Sequence, residues 1–126
     1  MASFSKDVFE AARKEREVRL TTRGRKTGKP HHVVVWISTD GAHLYIRSGA
    51  GLGRDWPQNV LARPEAEVQL GELKVKVMPR LISDPSEARS VSELHRAKYG
   101  TNVKPSSPTE PLTAGETASF DLLPAE

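Results

Sequence analysis

The chain has 126 residues, a formal net charge of +3 and no cysteine. This length allows one domain with a modest core, here taken as residues 1–126, and leaves no room for a separate substrate domain. Without cysteine, disulfides, thiolate metal sites, iron–sulfur clusters and cysteine nucleophiles are excluded, and so mild a charge does not by itself indicate a nucleic-acid binder. Because neither a signal peptide nor a membrane-spanning run is recognisable, we expect a soluble cytoplasmic protein.

The first half of the chain predicts a helix followed by an antiparallel meander. We predict a helix over residues 5–16 of the N-terminal segment 1–16, and strands over residues 18–22, 32–38 and 44–47. The second strand is apolar on both faces, which indicates a central strand with Trp36 in the core. Asp40-Gly41 is a strong hairpin signal between the second and third strands. The three strands are therefore expected to pair consecutively.

The second half predicts two further helices and three further strands. We expect a short helix that starts at Asp55 or Trp56 and ends before Pro64, followed by strands over 67–70 and 73–81. A helix from Asp84 to about Tyr99, a loop or lid over 101–115 and a last strand over 119–123 complete the chain. A capping aspartate followed by proline starts the long helix, and Gly100 ends it. The whole predicts an α+β fold, a small and partly open β-barrel of about six mostly antiparallel strands with peripheral helices.

The turn between the first two strands is unusually basic. Four cations surround Thr27 and two glycines: Arg23, Arg25, Lys26 and Lys29. The sequence is not a P-loop, because the spacing is one residue short and Pro30 stands at the Ser/Thr position. Glycine-lined backbone amides and cations could still bind a phosphate or a polyanionic tail. A solvated basic turn and an anion site both remain open at this point.

A glycine loop follows the third strand. Gly49, Gly51 and Gly53 lie between Ser48 and Trp56. Their spacing does not fit a dinucleotide fingerprint, but glycines let the backbone approach a flat ligand closely. The alternative is a mobile connection.

The histidines do not predict a metal site. His31 and His32 are adjacent on a strand and therefore point to opposite faces, and His95 is expected on a helix surface. No Ser–His–Asp set and no carboxylate pair can be assembled from the spacing. Basic loops with Trp36 and Tyr45 on strands leave an oligonucleotide-binding barrel as an alternative, which the small number of aromatic residues disfavours.

Two motifs together resemble a known family. VRLTTRGRKTGKP, at residues 18–30, is similar to the signature of the deazaflavin-dependent nitroreductase family, which belongs to the flavin/deazaflavin oxidoreductases with a split β-barrel fold. Residues 53–71 match the W-x-x-N-x-x-x-x-P-x-x-x-V-x-x-G pattern of split-barrel flavin-binding proteins. The resemblance spans roughly residues 18–99 and implies the split-barrel fold.

The resemblance implies the cofactor F420, a deazaflavin with a phosphate and a polyglutamate tail. The tail would lie against the basic turn, at Arg23, Arg25, Lys26, Thr27 and Lys29, and the ring against Ser48, Gly49 and Ala50, with Arg54 and Trp56 nearby. Many relatives carry Ser-Lys-Gly-Gly where this chain has Ser48-Gly49-Ala50-Gly51. FMN, with one phosphate and no polyglutamate, is the alternative cofactor.

The activity implied is hydride transfer from the reduced cofactor to a small organic acceptor, such as a quinone or an enone. Tyr99 and His95 are the candidate proton donors. The expected partners are the cofactor and the acceptor, with a homodimer as the assembly considered. The alternatives are an FMN-binding split-barrel oxidoreductase and a non-catalytic module that holds a cofactor or nucleic acid.

Overall fold

The computed structural model describes residues 3–125. Residues 1 and 2 of the predicted N-terminal segment, and residue 126, lie outside this description. Within it the chain forms α1 Lys6–Lys14, β1 Val18–Arg23, β2 Pro30–Val35, β3 Ile37–Thr39, β4 Leu44–Arg47, α2 Asp55–Ala62, β5 Ala66–Leu70, β6 Leu73–Leu81, α3 Pro85–Tyr99, α4 Ala114–Thr117 and β7 Ser119–Pro124. None of the helices in residues 3–125 is long and apolar enough to cross a membrane.

All the strands between residues 3 and 125 form one seven-stranded sheet in the order β2-β1-β5-β6-β7-β4-β3. Every neighbouring pair is antiparallel. β2 and β3 are the two edges of this sheet, yet Trp36 alone separates them in the chain. The sheet must therefore curl until its two edges meet at Trp36. This geometry confirms the predicted α+β split barrel.

The core lies inside the curled sheet and beneath the helices. Residues of β1 alternate, so that Val18, Leu20 and Thr22 are buried while the arginines between and after them are exposed. Phe120 of β7, an interior strand of the sheet, is fully buried, and its ring lies 5.4 Å from that of Trp56 in α2. Helix α2 is thus fixed against the barrel by an aromatic contact at its first turn.

The run of residues 32–38 was the main error of the sequence prediction. It is not one central strand, because it breaks at Trp36 into two strands on opposite edges of the sheet. Val34 is 61% exposed and Trp36 is 40% exposed, so Trp36 is not a core residue. The three-stranded meander is wrong for the same reason, since β2 pairs with β1 only and β3 with β4 only. Apolar residues on both faces are therefore not specific to a central strand, because an edge strand can also expose them as a surface for a ligand or a partner.

The other elements follow the sequence closely. β6 has the predicted bounds, and α3 starts where the Asp84 side chain accepts a hydrogen bond from the Ser86 amide at 3.2 Å. The helix ends before Gly100, whose φ of +102° favours glycine. The predicted loop over 101–115 is too long by two residues, because α4 begins at Ala114 behind a capping box of Thr113 and Glu116.

Candidate functional site

The basic turn, residues 23–29, has a fixed and closed shape. The Gly24 amide donates to the Lys29 carbonyl at 2.8 Å, and the Gly28 amide donates to the Gly24 carbonyl at 2.8 Å. Gly28 has a φ of +73°, which a residue with a side chain rarely adopts. The Thr27 hydroxyl accepts from the Lys29 amide at 3.2 Å. These bonds indicate a preformed turn whose charged side chains project from an ordered backbone.

Asn59 of α2 holds this turn against the barrel. Its Oδ1 accepts from the backbone amide of Arg25 at 3.2 Å and from Arg25 Nη1 at 2.9 Å. Its Nδ2 donates to the buried Thr22 hydroxyl at 3.2 Å, and the residue is only 2% exposed. Sequence reasoning passed over Asn59, although it is the asparagine of the W-x-x-N pattern. The structure gives that position a physical role, namely to fasten the turn to α2.

A cleft of about 410 Å³, here the turn cleft, lies beside the basic turn. Lys26, Thr27 and Lys29 line it, together with Arg25. Between residues 3 and 125 neither lysine has a carboxylate within ion-pairing distance, whereas Arg25 lies 3.5 Å from Asp55. The uncompensated positive charge of the turn cleft therefore comes from the two lysines.

Two arginines near the turn, Arg63 and Arg23, do not line the turn cleft. Arg63, which the sequence analysis missed, places its guanidinium about 3.5 Å from the position that a Cβ on Gly28 would take. Arg23 Nη1 donates to the Gly28 carbonyl at 3.5 Å, but Arg23 lines a separate cleft with Glu65, Glu67 and Lys76. Of the four predicted cations, three line the turn cleft and Arg23 does not.

A second cleft, of about 560 Å³ and here called the glycine cleft, opens at the seam of the barrel. Its walls are residues 33–35 of β2 with Trp36, residues 47–50 at the end of β4, Trp56 of α2 with the N-cap residue Arg54, and His95 of α3. Glu17, Asn102 and Val103 complete the lining. The volume lies within the range of small-molecule and cofactor pockets. All the predicted ring-contacting residues line this cleft: Ser48, Gly49, Ala50, Arg54 and Trp56.

The glycine loop presents backbone to the cleft. Ser48 is buried, and its amide donates to the Ala118 carbonyl at 3.1 Å while its carbonyl accepts from the Gly51 amide at 2.9 Å. A Cβ built on Gly49 would meet nothing within 4 Å, so Gly49 faces open space. Across the described part of the chain the amides of Gly49 and Ala50 have no acceptor. The loop thus offers two N–H donors that have no acceptor in the described chain.

Trp36 forms the opposite wall and is supported from behind by Tyr99. The two rings are stacked, with centroids 4.1 Å apart and planes 4° apart. The Tyr99 hydroxyl accepts from the Ile37 amide at 3.0 Å and donates to the Arg16 carbonyl at 2.7 Å. Tyr99 does not line the glycine cleft. The structure therefore uses this hydroxyl as a backbone anchor rather than presenting it to a ligand.

His95 is buried, and its predicted position on a helix surface is wrong. The residue is 1% exposed, and its Nδ1 lies 2.7 Å from the Ser38 hydroxyl. Burial, with the nearby charges of Arg47 and Lys98, lowers the pKa of His95 to about 3, so the imidazole is neutral at pH 7. Ala88, Val91, Ser92 and His95 share one buried stripe of α3. That helical spacing was the signal in the sequence that could have placed His95 inside.

The two clefts adjoin on the same two elements. Trp56 of α2 and its N-cap residue Arg54 line the glycine cleft, while Asp55 and Asn59 of the same helix line the turn cleft. Along β2, His31 lines the turn cleft and residues 33–36 line the glycine cleft. Residues 33–35 of β2 are two to four positions from His31, so at about 3.3 Å of rise per strand residue the two linings are roughly 7–13 Å apart along this strand. One extended molecule can therefore occupy a flat apolar site and a cationic site together.

No group of three or more His, Cys, Asp or Glu residues within 3–125 is arranged to hold a metal ion.

Solved structures share this fold at low sequence identity. An F420-H2 dependent reductase, FDR-A, aligns with a TM-score of 0.67 and 22% identity over 85% of this chain and 93% of that chain. HutZ, a heme storage protein from Vibrio cholerae, aligns with a TM-score of 0.68 and 12% identity over 99% and 92% of the two chains. A FAD-binding protein from Mesorhizobium loti aligns with a TM-score of 0.60 and 19% identity over 99% of this chain and 93% of that chain. At these identities the likeness shows the split-barrel fold and no more.

Comparison with curated protein sequences gives no match. A family model does match residues 9–119, which is most of the chain. This model is distinct from the deazaflavin-dependent nitroreductase family that the two sequence motifs resemble. The chain belongs to the family described as "Uncharacterized protein conserved in bacteria (DUF2255)".

Proposed function

We propose that this protein is an oxidoreductase that binds a phosphorylated deazaflavin, F420, and transfers hydride to a small organic acceptor such as a quinone or an enone. One observation carries the proposal: the glycine cleft and the turn cleft adjoin on α2 and β2, so that a flat ring and an anionic tail have neighbouring sites. The resemblance of residues 18–30 to the deazaflavin-dependent nitroreductase signature supports the same cofactor.

The residues of the glycine cleft suit a planar heterocycle. The ring would lie on Ser48, Gly49 and Ala50, where amide donors can meet ring carbonyl oxygens. Trp36 and Trp56 line the same cleft and offer apolar surface to the ring. The tail would extend along β2 to Lys26 and Lys29, whose charges have no other ion-pair partner among residues 3–125.

The bound cofactor would supply the hydride, while the protein orients the cofactor and the acceptor and limits their contact with water. His95 is neutral because burial lowers its pKa to about 3, so it is a poor acid at pH 7. The Tyr99 hydroxyl is engaged with backbone groups. Neither predicted donor is therefore assigned the proton, and we propose that the reduced acceptor takes its proton from water at the mouth of the cleft.

The charge of the turn cleft favours F420 over FMN. A polyglutamate tail carries several carboxylates and can engage Lys26 and Lys29 along its length, whereas FMN ends in one phosphate. The Arg63 guanidinium near Gly28 adds a further cation at the same edge. FMN remains the second candidate, because a single phosphate also fits a glycine-rich cationic turn.

Parallel titrations of the protein with F420 and FMN test the proposal. We expect micromolar binding of F420, weakened by about tenfold or more (about 1.4 kcal/mol) in Lys26→Ala/Lys29→Ala. The matched control is Lys14→Ala/Lys74→Ala, which removes the same charge from exposed residues of α1 and β6. Tight FMN binding without F420 binding would show that the cofactor is FMN and not F420. Failure of both cofactors to bind would contradict it.

Turnover is a separate measurement. Anaerobic mixing of the protein with reduced F420 and a quinone should give loss of the reduced-cofactor absorbance at a rate proportional to protein concentration. Binding without such turnover would indicate a cofactor-holding module instead of an enzyme.

A further inference from the structure

Arg47 occupies a position at the end of β4 that the proposed cofactor contacts do not explain. The residue lines the glycine cleft and is half-buried. Its Nη1 donates to the Ser92 hydroxyl at 2.6 Å. The guanidinium lies against Gly115, where a Cβ would come within 3.0 Å of Cζ and 3.1 Å of Nε. The plane of the guanidinium is thus fixed by a hydrogen bond on one side and a glycine backbone on the other.

Ser92 is itself held by a buried carboxylate. Glu116 is 0% exposed, and its Oε2 accepts from the Ser92 hydroxyl at 2.8 Å. Because that hydroxyl gives its only proton to Glu116, it must accept from Arg47. The amides of Ser106 and Thr113 donate to Glu116 at 3.1 and 2.9 Å. The carboxylate thus accepts one hydrogen bond from Ser92 and two from backbone amides, and it sets the direction of the Ser92 hydroxyl.

Arg47 lines the glycine cleft and has N–H donors without an acceptor in the described chain. No carboxylate in the described chain lies within 4.0 Å of its nitrogens, Glu116 included. A guanidinium has five N–H donors, and Ser92 is the one acceptor for them among residues 3–125. Burial lowers the pKa of Arg47 and Glu116 opposes that shift, so the group remains a cation. The other charged residues lining the cleft, Glu17 and Arg54, are both exposed.

We infer that Arg47 binds a carboxylate of the acceptor in the glycine cleft, and that Ser92 and Glu116 are its positioning residues. A planar, rigid guanidinium with spare donors matches the fork of a carboxylate, which it can bind through two parallel hydrogen bonds. Glu116 offsets part of the charge of Arg47 through the intervening Ser92 hydroxyl, but a neutral quinone would leave the spare N–H donors of the guanidinium without an ionic acceptor. The acceptor class is then a planar, conjugated carboxylate. The identification of the bound carboxylate as the acceptor rests on the proposed function, whereas the presence of a carboxylate-binding site at Arg47 does not.

The chain offers a direct probe of this site. It has two tryptophans, Trp36 and Trp56, and both line the glycine cleft. Their indole N–H signals in a ¹H–¹⁵N correlation spectrum report from this cleft and not from the basic turn. We would titrate the protein with benzoate and, separately, with benzamide, which has the same shape and no charge. Benzoate should shift the indole signals with an affinity about tenfold or more above that of benzamide.

Three variants test the role of Arg47. Arg47→Gln should remove the preference for benzoate, and Gly115→Ala should reduce it because the new methyl group displaces the guanidinium without removing its charge. Arg96→Gln, an exposed arginine on α3, is the matched control and should behave as the parent protein. If Arg47→Gln does not fold, Gly115→Ala carries the test. Equal binding of benzoate and benzamide by the parent protein, or an unchanged preference in Arg47→Gln or Gly115→Ala, would overturn the inference.

A final titration distinguishes failure of this inference from failure of the proposed function. Benzoate is titrated again with F420 or FMN present at saturation, whichever binds. Binding of benzoate alongside the cofactor supports an acceptor site, while competition would assign Arg47 to the cofactor ring and overturn the inference. If neither cofactor binds, the proposed function fails, and the benzoate preference still decides whether Arg47 forms a carboxylate site.

Discussion

The indole of Trp36 lies parallel to the phenol ring of Tyr99, with 4.1 Å between centroids and 4° between planes. Tyr99 is fixed by its hydroxyl to backbone groups of Ile37 and Arg16. Trp36 therefore presents one face to the glycine cleft and rests its other face on an anchored ring. This pair joins the seam of the barrel to the C-terminal end of α3.

Trp36→Ala should cost about 1–2 kcal/mol of unfolding free energy, because 40% of the side chain is already exposed. A fully buried aromatic residue would cost about 3–5 kcal/mol. Urea unfolding followed by circular dichroism measures the difference. The same variant should bind the cofactor more weakly, since one wall of the cleft is lost. A loss of stability in the fully buried range would show that Trp36 is packed as a core residue.

Asn59→Ala should lower both stability and cofactor affinity. The change leaves the buried Thr22 hydroxyl and the Arg25 amide without their partner, which costs about 1–3 kcal/mol. The basic turn then loses its attachment to α2, so F420 should bind less tightly. Gln69→Ala is a suitable control, because it removes a half-buried side-chain amide of β5 that donates to the Gly71 carbonyl at 3.1 Å and does not contact the basic turn. Unchanged F420 affinity in a destabilised Asn59→Ala protein would show that the turn does not depend on this anchor.

Lys98→Ala should release the end of α1. The Lys98 ammonium donates to the carbonyls of Ala12 and Glu15 at 2.6 Å each and of Ile37 at 2.8 Å. Carbonyls at a helix C-terminus favour a cation, and a hydrogen bond to a charged group contributes about 1.5–3 kcal/mol. Hydrogen exchange should therefore accelerate in the last turn of α1 and in β3. The exposed Arg96→Ala on the same helix should leave these amides unchanged.

Stability should fall between pH 7.5 and pH 5 because of His95. Burial lowers the pKa of His95 from 6.5 to about 3 in the folded protein. Below pH 6.5 the unfolded chain therefore binds a proton that the folded chain does not, and stability is lost as the pH falls. At pH 5 the loss is about 2 kcal/mol. Urea unfolding at the two pH values measures it.

His95→Gln is the variant that isolates this effect, and its stability should change much less over the same pH range. His43 acts in the opposite direction, because its hydrogen bond to Asp40 raises the pKa of His43 and adds stability as the pH falls. That pair is largely exposed, so its contribution is smaller. A pH dependence that persists unchanged in His95→Gln would show that the histidine is not the group responsible.

The amino-acid sequence by itself determined the local elements and the chemistry of the turn. Alternation defined β1 and β6, and the Asp84 cap and Gly100 gave both ends of α3, because these signals act within a few residues. The basic turn and the glycine loop were also recognisable, since charge and missing side chains can be identified without coordinates. Their candidate residues are placed in two adjoining clefts, with Arg23 apart from them.

Only the tertiary structure decided which strands are neighbours and which residues face the site. An apolar run cannot say whether it covers a core or lines a cleft, and residues 32–38 proved to be two edge strands separated by Trp36. Asn59, Arg47 and Glu116 gained their roles from partners 34, 45 and 24 positions away in the chain. Pairings at such distances depend on how the sheet curls, and they are set by the packing of the whole barrel rather than by any local pattern.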